Sequence, residues 1–305
     1  MTTTDSAPTP IAARSGIAAV VAALRVPQWI KNLLVLVPVV LDHRLHDPDI
    51  LLRGVLAAVA FCAAASAGYI FNDVRDRDAD RRHPFKRRRP FAAGELSATT
   101  GAVLILALLA IALVLGLSLP RDFLWLLLLY LVTTSVYSFR FKQIPVLDVL
   151  ILAGLYTLRV LAGIAATGVR FSTWLLAFAM FIFLSLAFLK RYAELYRLRG
   201  ESAERAAGRG YVVADLEWLG SMGAAAGYLS VLVLALYITS EQVLVLYAHP
   251  SRLWLICPLL LYWISRLWFL AHRGRIHEDP LVAAMGDPVS YILGVLVAVV
   301  LAVAL

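Results

Sequence analysis

Residues 72–91 read NDVRDRDADRRHPFKRRRPF, a run of aspartates and eight cations between apolar stretches of a 305-residue chain. At about 100° per helical residue, Asn72, Asp73, Asp76 and Asp80 fall at about 0°, 100°, 40° and 80°, within one arc, while Arg75 and Asp78 point elsewhere. Carboxylates gathered in this way repel one another unless a cation sits between them. Oxygen donors with no His or Cys beside them suit Mg²⁺, which is usually held by one or two carboxylates together with substrate phosphate oxygens. Lys86, Arg87, Arg88 and Arg89 follow and offer donors to the remaining phosphate oxygens. The alternative is a solvated loop whose acids balance its bases; regular acidic spacing at the end of an apolar run favours a Mg²⁺-diphosphate site.

A second cluster, LAFLKRYAELYRLRG, puts Lys190, Arg191 and Glu194 at about 0°, 100° and 40°. Two cations and one carboxylate suit direct binding of phosphate, or simply a positive flank to a helix end. Arg159 lies inside LILAGLYTLRVLAGIAA, and charges at such depth face a cavity or a partner. A substrate-facing role and a structural pair both stay open. Asp148 shares its helical face but lies about 16 Å away along the axis. Tyr137 and Tyr192 adjoin charged ends, where a ribose or phosphate contact and an ordinary interfacial role are both available. Asp279 and Asp287 flank the last apolar run, as a functional loop or as helix caps. His43, His46, His83, His249, His272 and His277 all sit near expected interfaces and read as surface residues. Cys62 and Cys257 lie within apolar spans, with no disulfide or metal-ligand spacing.

The elements that must position these residues are membrane helices. With 61% hydrophobic and only 16% charged residues and a mean hydropathy of +0.81, the chain is far from a soluble domain. The expected architecture is all-α and polytopic, with nine spans near 28–46, 50–71, 99–119, 122–139, 145–167, 172–192, 218–240, 250–271 and 287–305. The first is the least regular, because Pro27, Trp29, Lys31 and Asn32 crowd its start and Pro38 interrupts it. GIAAVVAAL at 16–24 is too short to span and reads as an interfacial helix rather than the core of a cleaved signal peptide. Residues 1–14 read as a disordered tail, leaving 15–305 as a single transmembrane domain. Placing the N-terminus in the cytoplasm puts 22 Lys and Arg inside and five outside, with Arg159 in a span. The charged clusters then lie on the cytoplasmic side of the cell membrane. The net charge of +8 is assigned to topology and anionic lipid, with no nucleic-acid partner. Oligomeric state is left open.

NDVRDRDAD at 72–80 resembles the NDxxDxxxD signature of the UbiA superfamily of intramembrane transferases. The resemblance implies a UbiA-type helical bundle with a cytoplasmic-facing active-site cavity, in which Asp73, Asp76 and Asp80 hold Mg²⁺ and a diphosphate. Prenyl-transferring members carry a second, DxxxD motif where this chain has KRYAEL. That stretch, with RVPQWIKN at 25–32, residues 72–94, YSFRFKQIPVLDV at 137–149, LRVLAG at 158–163 and HEDPLVAAMGD at 277–287, is similar to the decaprenyl-phosphate phosphoribosyltransferases. By that resemblance phosphoribosyl pyrophosphate is the donor, a long polyprenyl phosphate the acceptor, and the product a precursor of cell-wall arabinan. Asn72 would hydrogen-bond beside the acids, Lys86, Arg87 and Arg89 would hold the leaving diphosphate, and Lys190 and Arg191 would meet the 5-phosphate or the acceptor phosphate. Lys31, Tyr137, Lys142, Arg159 and Glu194 complete the expected substrate-binding set. The acceptor is already ionised at neutral pH, so no general base is required. The rival readings are a prenyltransferase acting on an aromatic or other small acceptor, and a lipid carrier without catalysis.

Overall fold

The computed structural model describes residues 16–82, 86–170, 172–200, 209–276 and 279–305. The expected tail at 1–14 and His83 and His277 lie outside them. The helices are α1 (Gly16–Leu24), α2 (Val37–Leu41), α3 (Pro48–Arg75), α4 (Arg77–Arg82), α5 (Ala98–Leu117), α6 (Arg121–Phe139), α7 (Leu147–Thr167) and α8 (Thr173–Gly200). They continue with α9 (Leu216–Ile238), α10 (Glu241–Leu246), α11 (Ile256–His272), α12 (Pro280–Met285) and α13 (Pro288–Ala304), and no β-strand occurs among the described residues. Long apolar runs take this form because oil offers no partner to a bare N–H or C=O, and a helix satisfies both within the segment.

Seven helices, α3, α5, α6, α7, α8, α9 with its lead-in from Val213, and α11 with its lead-in from Pro250, are long and apolar enough to cross a membrane. The expected nine is not reached by this measure. The first run is not one regular helix: α1 is followed by a 3₁₀ segment, Val26–Leu36, and then α2, with a 42° bend between α1 and the rest. If that bent pair is one span, the count is eight. The cause is local. Arg25 takes a left-handed φ of 53°, Pro27 has no N–H to give, and α-helix resumes where Pro38 stands in the first turn, a position that needs no amide. The ninth run forms α13, of 17 residues, which Asp287 starts by accepting the Ser290 N–H.

The described residues pack as two units. The first takes residues 16–26 and 63–111. Its small core is Ala23, Ile70 and Phe91, with Val74 and Leu104 against it, and Ser66 ties α3 to α1 by donating to the Leu24 carbonyl at 2.9 Å.

The second unit takes residues 27–62 and 112–305. Its core joins α7, α8, α9 and α11 through Val160, Phe183, Leu219 and Ile264. Small residues set the spacing. Ser185 donates to the Gly223 carbonyl at 2.7 Å and accepts from the Trp268 indole at 3.1 Å, and a Cβ at Gly223 would lie 2.2 Å from that indole. On α7, a Cβ at Gly163 would lie 2.0 Å from the Val35 carbonyl oxygen. That neighbour is backbone and cannot rotate away, so Gly163→Ala is expected to cost about 2 kcal/mol through overpacking. Thermal unfolding in detergent checks this, with Gly154→Ala on the same helix as the control, since nothing lies within 4 Å of a Cβ there.

Candidate functional site

In the first unit the acidic motif straddles the end of α3 and the start of α4, with Asp76 at the break. Helical hydrogen bonding carries through it, from the Asp76 N–H to the Asn72 carbonyl and from the Asp80 N–H to the Asp76 carbonyl. The side chains divide. Asp73 and Asp80 are buried and converge on Nη1 of Arg89, at 3.1 and 2.7 Å. Arg25 adds a bond from Nη2 to the same oxygen of Asp73 at 2.6 Å, with its guanidinium over the Tyr69 ring. Asp76 is half-buried and accepts from Arg75 at 2.9 Å. Asn72 is half-buried beside Asp73, while Lys86, Arg87 and Arg88 lie exposed on a 3₁₀ turn.

In the second unit three polar groups gather on a loop aspartate. Lys31 Nζ and Lys190 Nζ donate to Asp279 Oδ2 at 2.7 and 2.8 Å, and the Tyr156 hydroxyl donates at 3.3 Å. Burial opposes ionisation of Asp279, yet Lys190 and Lys31 outweigh it and hold the carboxyl well below the usual carboxylate range. One turn along α7 from Tyr156, Arg159 is buried. Its Nε donates to Asn32 Oδ1 at 2.9 Å, its Nη1 to the Leu155 carbonyl at 2.6 Å and its Nη2 to the Tyr130 hydroxyl at 3.1 Å. The guanidinium also stands over the rings of Tyr130 and Tyr156. Among the described residues its hydrogen-bond partners are all neutral, so the structural ion pair left open for it is not formed.

An apolar cavity of about 580 Å³ lies in the same unit, lined by Leu34, Val37, Val160, Phe183, Leu260 and Leu301 among others. Leu34 is one turn from Lys31, Val160 follows Arg159, and Phe183 packs on Tyr156 with ring centroids 5.4 Å apart. Neither lysine lines the cavity itself, whose polar lining includes Asp42, Arg170 and Ser172.

Arg191, Glu194 and Tyr137 do not join that cluster. Arg191 is buried in a bidentate pair with Asp148 through Nε and Nη2. Its Nη1 goes to Glu194 at 2.7 Å and Nη2 also reaches the Tyr137 hydroxyl at 2.8 Å. Tyr137 donates to Asp148, and Arg209 adds bonds to Glu194 and Tyr137. This network ties α6, α7 and α8 together and corrects the expectation that Arg191 is offered to a phosphate. Lys142 is half-buried on the 3₁₀ turn Phe141–Gln143. Asp287 caps α13 and takes both Nη groups of Arg266, a structural role. Sequence reasoning missed Arg25, whose only signal was a cation beside a proline-broken helix, and Tyr156 and Tyr130, which carry none.

The donor set of Asp73 and Asp80 fits Mg²⁺: two buried carboxylates converge on Arg89, with Arg25 also on Asp73, and there is no softer ligand beside them. Among the described residues no three His, Cys, Asp or Glu side chains form a metal cage, so such an ion would depend on oxygens brought by a substrate.

The described residues thus form an all-helical membrane chain with an acid–arginine cluster where a span ends in one unit and paired lysines on a loop aspartate in the other. The chain belongs to the UbiA prenyltransferase family, whose model matches residues 33–285. It is 37% identical over 277 residues to the uncharacterized protein y4nM of Sinorhizobium fredii, covering 90% of this chain and 54% of that protein. Nodulation protein NoeC of Azorhizobium caulinodans is 36% identical over 87% of this chain and 86% of its own length. The decaprenyl-phosphate phosphoribosyltransferase of Corynebacterium glutamicum is 40% identical over 179 residues, 57% of this chain and 53% of that protein. The chain therefore spans about half the length of the first and third of these relatives. The solved UbiA homologue of Archaeoglobus fulgidus bound to DMAPP and Mg²⁺ shares the fold, with a TM-score of 0.70 at 19% identity over 93% of this chain and 99% of that one.

Proposed function

We propose that this UbiA-family transferase moves 5-phosphoribose from phosphoribosyl pyrophosphate to a long polyprenyl phosphate at the cytoplasmic face of the cell membrane, releasing diphosphate. The observation that carries the reading is the pair of lysines, Lys31 and Lys190, brought together on one oxygen of Asp279, with Lys190 in the stretch where prenyl-transferring relatives are expected to carry a second acidic motif. Cations in that place suit a substrate phosphate directly. Likeness to the phosphoribosyltransferase of Corynebacterium glutamicum over part of the chain supports the same donor.

In this reading Asp73 and Asp80 hold the ion, with Asp76 and Asn72 beside them, and Arg25, Arg89, Lys86 and Arg87 bind the diphosphate. Mg²⁺, when bound, supplies charge that stabilises the departing diphosphate. The bond from C1 of the ribose to the diphosphate oxygen breaks, and its electron pair leaves with the diphosphate. An oxygen of the lipid phosphate forms the new bond to C1. Lys31 and Lys190 hold a substrate phosphate, and Arg159 adds positive potential at the depth where that charge must be tolerated. No side chain has to take a proton.

The test uses purified protein in lipid nanodiscs with Mg²⁺. Label from phosphoribosyl pyrophosphate is expected in a polyprenyl phosphate product, with one diphosphate released per transfer. Prenyl diphosphate with an aromatic acid, offered under identical conditions, is expected to give no product. The reverse preference refutes the phosphoribosyl reading and leaves the family intact.

A further inference from the structure

We propose that the apolar cavity of the second unit binds one chain of a zwitterionic phospholipid, whose headgroup rests between Asp42 and Arg170 in the leaflet opposite the Lys31 and Lys190 pair. The inference goes beyond the proposed reaction and stands whichever donor the chain uses.

The cavity has a direction. Val160 and Phe183 line its deep end, well inside α7 and α8, while Asp42, Arg170, Ser172 and Trp174 line the end where α2 and α7 stop and α8 begins. The rest of its lining is hydrocarbon or aromatic, so charge is confined to one end. From Trp174 to Phe183, α8 rises about 14 Å, and Lys190 stands about 10 Å further along the same helix. Half of a bilayer's hydrocarbon is about 15 Å. The cavity therefore runs the depth of a single leaflet and stops short of the lysines. Its volume of about 580 Å³ lies within the roughly 300–1,000 Å³ of small-molecule sites. A dry space of that depth, charged only at its helix-end rim, suits an acyl chain with its headgroup outside.

The rim decides which headgroup. Asp42 is half-buried and Arg170 exposed, and among the described residues neither has an ion-pair partner, each other included. A guanidinium suits a phosphate, whereas a carboxylate repels an anionic head and attracts an ammonium. Trp174 and Tyr237 line the cavity as well, and aromatic faces draw an ammonium further. An anionic phospholipid would satisfy Arg170 and be repelled by Asp42; a head carrying both phosphate and ammonium satisfies the two together. A prenyl phosphate held at the Lys190 end would bring only hydrocarbon to this cavity and leave both rim charges unused.

Native mass spectrometry of the full-length protein in detergent tests this, with phosphatidylethanolamine and phosphatidylglycerol of identical acyl chains titrated separately. Phosphatidylethanolamine is expected to bind about tenfold more tightly, the least that one charge-assisted hydrogen bond contributes. Asp42→Asn should abolish that preference, and Arg170→Gln should weaken the binding of both lipids. Val297→Phe, which fills the cavity from α13, should also weaken both, placing the chain inside rather than on the rim. Equal affinity of the wild type for the two lipids overturns the proposal, as does a preference that survives Asp42→Asn or binding unchanged by Val297→Phe. Competition on the wild type adds a test that needs no variant to fold. Phosphatidylethanolamine retained in the presence of excess prenyl monophosphate supports the site, and its displacement overturns it by giving the cavity to the tail of a prenyl substrate.

Discussion

Asp73→Asn is expected to lower transfer by at least about a hundred-fold, in line with the loss of one preorganised charge in an active site, while the protein remains folded. The two halves of that statement have different causes. Loss of activity follows from removing one of the two buried carboxylates that would hold the ion, leaving Asp80 to do so alone. Retention of fold follows from the partners. The side chains of Arg25 and Arg89 are 28% and 31% exposed, so water can solvate them once the carboxylate is gone, and Asn keeps the size and one acceptor oxygen. Rate and melting temperature, measured on the same preparation, check both halves. Full Mg²⁺-dependent activity in Asp73→Asn would remove this residue from the site.

The same substitution at Asp148 is expected to do the reverse, costing about 3 kcal/mol or more of stability, as breaking a buried ion pair does. Asp148 has a side-chain exposure of 0% and Arg191 of 2%. Taking the charge from Asp148 leaves a guanidinium in a place water does not reach, with Glu194 as its remaining acid in direct contact. Unfolding in detergent should show the loss in Asp148→Asn, and much of it should return in the double variant Asp148→Asn with Arg191→Leu, where no charge is stranded. A double variant no more stable than the single one would show that the pair contributes shape rather than charge.

These two aspartates show what the sequence could and could not disclose. The apolar runs announced most spans to within a few residues, because an unbroken stretch of oil-soluble side chains admits few other structures. The motif at 72–80 announced its own acids by spacing alone. Partners were another matter. Helical angle told that Lys190 and Arg191 lie near one another, but not that one turns to Asp279 and the other to Asp148, 89 and 43 residues away in sequence. Nor did the spacing tell that Asp76 pairs with its neighbour Arg75. The first span escaped for a related reason: a left-handed Arg25 and two prolines set its geometry, and hydropathy is blind to backbone angles. Asp148 and Arg159, noted for a common face, separated into a locked network and a cation among aromatic rings.

The lengths of α3 and α8 carry a consequence for depth. Between Arg53 and Asp73, α3 has 19 residues without a charge, and α8 has 17 before Lys190. At 1.5 Å per residue these stretches measure about 28 and 26 Å, close to the roughly 30 Å of hydrocarbon in a bilayer. Each helix thus begins its charged end at the level where lipid phosphates already reside. In the proposed reaction, a polyprenyl phosphate reaching such an end would keep its headgroup at its native depth and give up only lateral freedom, so no anion would have to be drawn into oil first. Membrane thickness becomes, in effect, one of the dimensions of the site.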